Sequence, residues 1–312
     1  MAEHVFDASV YHHAWDRRLA PALAIAPGDV VHFDLLMAGA RQVHEGASFD
    51  DCSFDFDTLY NLAGPIHVEG AEPGDTLSVE ILALAPGDWG WCAILPELGL
   101  LPDDFPDGFV RTFDLRGRST TTLVPGVEIP ITPFCGTMGT CPDREGAFVP
   151  FPPHEGGGNV DTRHLTPGTT FHLPVHLPGA HFSVGDPHAA QGDGEVCVAA
   201  IECPMRASLR FDVAHRASPG PWFTTAPGSL TPRSDTAGYY GTMGIAGDLM
   251  EGARGAVRNM ITLLGDRHGL EPRDAYMLCS LAGDLKILEV VDAGIWNVGL
   301  LMPRCVFAVG SQ

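Results

Sequence analysis

The sequence predicts an α+β protein in which β structure dominates. Two observations carry this. First, 37 glycines and 26 prolines make up about a fifth of the 312 residues without any low-complexity repeat, a density of turn chemistry that favours many short strands. Second, helical periodicity is confined to the last quarter of the chain, and strands first with helices late is the α+β order.

Taken in order, Pro27-Gly28-Asp29 signals a turn, and residues 30–36 alternate as a strand. Residues 64–84 read as strand, turn, strand, with Glu72-Pro73-Gly74-Asp75 supplying the reversal. Leu77, Val79 and Ile81 alternate with Ser78 and Glu80, as in a half-buried strand. Residues 86–130 read as a long irregular segment whose Trp89 and Trp91 suit a pocket wall or an oligomer contact. In the stretch 152–202 the runs FHLPVHL and EVCVAAI have strand composition. Between 244 and 269, Leu249, Met250, Ala253, Val257, Met260, Ile261 and Leu264 recur at three- and four-residue steps. This is an amphipathic helix with Gly269 near its end. Pro272 opens a second helix, RDAYMLCSLAG. LKILEVVD and VGLLMPRCVFAV then return to strand character. The domain reading is one unit over 1–312, divisible into β subdomains at about 1–130 and 131–312, with helices at about 246–282.

The formal net charge is −21, from 39 acids against 18 bases. That field repels phosphate backbones and attracts cations, so nucleic acid is not expected as a partner. No run reaches 18 apolar residues, so no membrane span is expected. The start, MAEHVFDASVYHHAWD, lacks the basic-then-apolar order of a signal peptide. The eight cysteines include no CxxC; free thiols in a reducing cytoplasm are the simplest reading. His12 and His13, before Trp15, read as surface or core histidines.

Residues 152–202 gather metal-binding and proton-moving side chains between apolar runs. Residues i and i+2 of a strand share a face, which pairs Asn159 with Asp161 and Asp186 with His188. Gln191, Asp193 and Glu195 form a triple where that segment is extended. Carboxylate and imidazole groups gathered from turns are ordinary zinc ligands, whereas a mostly oxygen set would suit calcium. Asp161, Asp186 and His188 are the expected metal ligands. A bound divalent cation would bring its water's pKa towards about 7 and polarise a carbonyl. Glu195, with Asn159 and Asp193, is then the expected catalytic group, moving the proton; Glu155 is a weaker choice. In the Gly156-Gly157-Gly158 run a backbone N–H could approach an oxyanion; Gly157, Gly158 and Gln191 are the expected substrate contacts. Cys135, in TPFCGTMGTCP, is the alternative nucleophile of a metal-independent amidase or lactamase. GDGE is also a common hairpin turn and a single histidine is often structural. A non-catalytic β module clamped by calcium is therefore the third reading.

The segments GGNVD (157–161), LPVHLPGAHFSVGDPHAAQGDGEV (173–196) and AIE (200–202) resemble the acetamidase/formamidase family. GPIHVEGAEPGD (64–75), PFCGTMGTCP (133–142), YYGTMGIAGDL (239–249) and AYMLCSLAGDLKI (275–287) extend the resemblance along nearly the whole chain. The resemblance implies a jelly-roll-like β-sandwich with C-terminal helices, assembled as a homo-oligomer, a dimer or larger. It implies hydrolysis of a short aliphatic amide, of formamide or acetamide type, to carboxylate and ammonia, with lactams as a variant. It implies a divalent metal, zinc before calcium, and it places the site around residues 159–161 and 186–195. His181 departs from the pattern, standing where the family has an apolar residue.

Overall fold

The protein is described by a computed structural model covering residues 1–291 and 294–308. The last residues of two expected strands, Asp292 and Val309, lie outside the described residues.

Strands β1 (Glu3–Val5), β2 (Leu23–Ile25) and β3 (Val30–Leu35) open the chain. β4 (Ala63–Val68) and β5 (Thr76–Pro86) flank the expected Pro73-Gly74 reversal. β6 (Trp89–Ile94) pairs with β7 (Phe109–Asp114), and β8 (Thr120–Val124) with β9 (Val127–Pro130). β10 (Phe134–Thr140), β11 (Gly157–Asn159), β12 (Thr170–Pro174) and β13 (Phe182–His188) span the middle. β14 (Met205–Ala214), β15 (Trp222–Thr224) and β16 (Tyr239–Ala246) precede two helices, α1 (Leu249–His268) and α2 (Pro272–Ala282). β17 (Asp284–Glu289) and β18 (Trp296–Pro303) follow.

Two main sheets form the sandwich. One has the order β1-β3-β14-β5-β12-β15 and the other β11-β10-β13-β4-β2. Neighbours far apart in sequence give the crossing, jelly-roll-like connections. Both sheets take strands from either side of residue 130. Their inner faces meet in one core, with Phe33, Val79 and Phe211 on one side and Ile66, Met138 and Phe182 on the other. Phe182 and Phe211 meet edge to face at 5.1 Å. Each fully buried large apolar side chain of this kind contributes about 1.5–3 kcal/mol.

The alternation in β3 and β5 and the two helices follow the sequence reading. The first helix starts later than 244 because Gly244 still pairs with Val298 in β16. The Asp248 carboxylate then caps the helix, accepting from Met250 N and Glu251 N. Gly269 ends it at φ 65°, and Pro272 begins α2. α1 lies close on the β16-β18-β17 sheet; a Cβ on Gly244 would fall 1.9 Å from the Gly252 carbonyl oxygen. Two expectations are corrected. Residues 86–130 are not a long irregular loop, since they hold the β6-β7 and β8-β9 hairpins. EVCVAAI is not a strand; it runs as turns and bends whose amides bond to side chains and loops, as Cys197 N does to Ser280 Oγ at 3.1 Å.

Candidate active site

β10, β11 and β13 lie side by side, and their ends carry the polar cluster. Asp186 and His188 stand on β13, where every residue is buried. Asp161 follows β11, and Glu195 comes from the turn after β13. Glu202 arrives from a third segment and bridges His188 on one side and Trp91 of β6 on the other. Asp161, Asp186 and Glu195 all have left-handed backbone, with φ of 42°, 53° and 42°. Such conformations cost about 1–3 kcal/mol each in non-glycine residues and gather at functional sites.

Neighbouring polar groups fix the cluster. His188 Nδ1–H donates to Gln191 Oε1 at 2.9 Å, and Gln191 Nε2 donates to the Asp161 carbonyl at 2.8 Å. This turns His188 Nε2 towards Glu202 Oε2 at 3.2 Å and Asp186 Oδ1 at 3.4 Å. Asn159 Nδ2 donates to Asp161 Oδ2 at 2.7 Å and is itself held by the Thr137 hydroxyl at 2.5 Å. Asp161 Oδ1, His188 Nε2 and Glu202 Oε2 are buried yet make no aligned hydrogen bond. Gly136 on β10 lies against the same atoms. A Cβ there would stand 2.6 Å from Asp161 Oδ1 and 2.9 Å from Asp186 Oδ2.

The electrostatics are those of crowded acids. Burial first, then the Asp186 carboxylate, pushes Asp161 up to about 8. Burial likewise raises Glu202 to about 7, and burial with the Asp161 charge holds Glu195 well above the carboxylate range. Burial pulls the His188 imidazole down, but Glu202 and Asp186 outweigh it and hold it well above its ordinary value. A divalent cation fits this set. Asp161, Asp186 and His188 present donor atoms within 4.8 Å of one another, and so do His188, Glu195 and Glu202. The polar atoms without aligned partners belong to these two groups, and a positive centre would relieve the repulsion between the acids.

The cluster forms one end of a cavity of about 470 Å³. Asn159, Asp161, Asp186, Glu195 and Glu202 line that end. The Tyr60 phenol faces the same acids; burial first, then Asp186 and Asp161, keeps it protonated.

Of the residues expected from sequence, the structure brings together Asn159, Asp161, Asp186, His188, Gln191 and Glu195. Gln191 orients His188 and lies behind the cavity wall. Gly157 and Gly158 do not face the cavity. Gly157 N donates to the His154 carbonyl, and both glycines let β11 press against β10 and His154. The Asp193 carboxylate is turned away from the cluster, to Lys286 Nζ at 3.2 Å and His164 at 3.4 Å. Glu155 is an outward-facing partner of Arg144. Cys135, the alternative nucleophile, is a core residue, 1 % exposed, and burial pushes its thiol up to about 12. His12 Nε2 is bonded to Ser183 Oγ at 2.9 Å, and His13 Nδ1 to the Tyr60 carbonyl at 2.6 Å. Glu202 escaped the sequence reading, although a lone acid between Ile201 and Cys203, both fully buried, was the signal for it.

A β-sandwich whose acid and imidazole groups converge at one end of an apolar-walled cavity is the framework of a ligand-processing protein rather than a clamp. The chain belongs to the acetamidase/formamidase family, whose pattern matches residues 2–148 and 146–309. It is 29% identical over 247 residues to an acetamidase of Mycolicibacterium smegmatis, covering 59% of this chain and 61% of that protein. It thus spans about three fifths of that relative's length. Among solved structures, an acetamidase from Bacillus halodurans superposes with a TM-score of 0.68 at 29% identity, over 96% of each chain. A gamma lactamase from Delftia acidovorans superposes with a TM-score of 0.90, over 99% of this chain and 94% of that one. Its identity is 23%, a likeness of fold.

Proposed function

We propose that this chain is an amidase that hydrolyses the C–N bond of a small neutral amide, of the formamide or acetamide type, to carboxylate and ammonia. The observation that carries the reading is the convergence of Asp161, Asp186, His188, Glu195 and Glu202 at the cavity's end, with donor atoms lacking aligned partners. Asp161, Asp186 and His188 would hold a divalent cation, zinc before calcium because an imidazole joins the set. Such a cation supplies Lewis-acid polarisation of the carbonyl and a more acidic water.

The chain's own groups do the rest. Thr137 and Asn159 hold Asp161 in place, and Gln191 holds His188. Glu195 and Glu202, close to His188, take a proton from the attacking water and return it to the departing nitrogen. Water's oxygen bonds to the carbonyl carbon, the C–N bond breaks, and ammonia leaves. The apolar walls exclude competing water. The family relationship supports a homo-oligomer; free cysteines support a cytoplasmic setting. The acidic balance of −21 disfavours nucleic acid as a partner. Among the described residues no helix is long and apolar enough to cross a membrane.

The test is ammonia release from acetamide and formamide by protein as purified, after chelation, and after zinc is restored. Activity lost on chelation and regained with zinc is the expected result. Full turnover in metal-free protein would remove the cation from the reading, and no ammonia from any amide would remove the amidase.

A further inference from the structure

The cavity is far larger than the amides of the proposed reaction. Acetamide has four non-hydrogen atoms, and at the ~30 Å³ that a water occupies these need about 120 Å³. The cavity measures about 470 Å³. Its polar groups are gathered at the acid end, and the remaining wall is apolar, with Leu59, Trp91, Leu95 and Val198 along it. The more exposed lining side chains are also apolar. Phe56, Phe151 and Met250 are 47%, 42% and 53% exposed. Single exposed apolar residues are ordinary, but these three come from separate segments and line one cavity.

Among the described residues the cavity lining holds one cation, Arg254, and it is engaged. Its Nη1 pairs with Glu251 at 2.5 Å and its Nε donates to the Leu100 carbonyl at 3.1 Å. Among the described lining residues no other cation is there to receive a carboxylate or phosphate, and the acids of the site repel one. What fits is a neutral molecule with an amide at one end and an apolar body behind it, of roughly ten to fifteen non-hydrogen atoms at the same volume per atom.

We propose that this chain selects amides bearing a bulky apolar acyl group, aromatic or branched, over formamide and acetamide. The inference rests on the amidase chemistry of the reading above and changes its preferred substrate from a short amide to a bulkier one. The amide reaches Asp161, Asp186 and Glu202, while the body lies along Trp91 and Leu95 and displaces water. Binding of the body is made equally in ground and transition states, so the gain falls in KM and leaves kcat nearly level.

The test measures kcat and KM for acetamide, butyramide, hexanamide and phenylacetamide with the metal-loaded protein, following ammonia. The expected result is a rise in kcat/KM of about fourfold per buried methylene. Phenylacetamide should exceed acetamide by on the order of a hundredfold, the gain of burying a group the size of a phenylalanine side chain. Phe151→Ala, at an exposed position that keeps the core intact, should lower kcat/KM for phenylacetamide severalfold through KM. A flat or falling series, with acetamide still turned over, overturns the inference and leaves the amidase standing. Unchanged phenylacetamide kinetics in Phe151→Ala also counts against it. No ammonia from any member of the series overturns the amidase reading itself.

Discussion

Gly136 contributes to the site by lacking a side chain. A methyl group there would press on Asp161 Oδ1, on Asp186 Oδ2 and, at 2.8 Å, on His188 Cε1. On the proposed cation site, Gly136→Ala should therefore lower metal affinity by at least the 10–100-fold typical of disturbed ligand support, with kcat/KM falling in step. Bound-metal stoichiometry and kinetics check this; native metal content with native turnover would refute it. At this scale the sequence was partly legible. Asp186 and His188 share a strand face, as their spacing indicated, and Asn159 does reach Asp161. In TPFCGTMGTCP the thiol drew the eye, while the glycine beside it shapes the site. Asp193 and Glu195 look alike in sequence, but the left-handed turn at Gly194 and Glu195 sends one carboxylate to Lys286 and the other into the cavity.

The turns that carry Asp161 and Glu195 are tied together by β17. Its first residue, Asp284, forms a buried ion pair with Arg163, two residues past Asp161, and accepts from Asp193 N at 3.2 Å, two residues before Glu195. Asp284→Asn leaves the Arg163 guanidinium without its counter-charge, and breaking a buried pair costs about 3–5 kcal/mol. Melting temperature and kcat/KM should both fall; a variant that matches the wild type in both would show the tie to be idle. Two buried histidines, His12 and the His154 ring packed on Trp15, predict an acid response. Burial lowers His12 and His154 from 6.5 to about 4, so both are neutral in the folded chain. Between these values the unfolded chain binds more protons at these two groups, so their contribution rises with pH there and is lost as pH falls from 6.5 through about 4, opposite in sign to that of the raised Asp161 and Glu202. The slope is up to about 1.4 kcal/mol per pH unit for each histidine. Urea melts at pH 7 and pH 5 of His12→Asn beside the wild type should isolate the His12 share, with stability falling less towards pH 5 in the variant; the same pH slope in both would count against His12. Half-buried strands such as β5 were readable because one face is wet. β6 was not, because nearly all of WGWCAI is buried and no alternation survives. EVCVAAI misled for the converse reason, since its apolar residues fill the core from an irregular path.

Across the whole molecule, the three-stranded sheet behind α1 shows an apolar outer face. Met243 and Ile245 are 54% and 67% exposed, and Leu288 lies across Gly299 beside them. The homo-oligomer proposed above would cover this face if its contact is here. Ile245→Lys should shift the protein towards monomer in sedimentation velocity while its far-ultraviolet spectrum stays native; an unchanged sedimentation coefficient would place the contact elsewhere. The β-rich class and the late helices were legible from turn density and periodicity, whereas the pairing of strands far apart in the chain leaves no local trace. The cavity joins the same distant parts. Tyr60 and Trp91 come early, the acids come from the middle, and Met250 and Ala253 come from α1. The cavity wall is therefore complete only when residues from Ala38 to Leu285 are all in place, and a chain cut before α1 would lack its Met250 and Ala253 side.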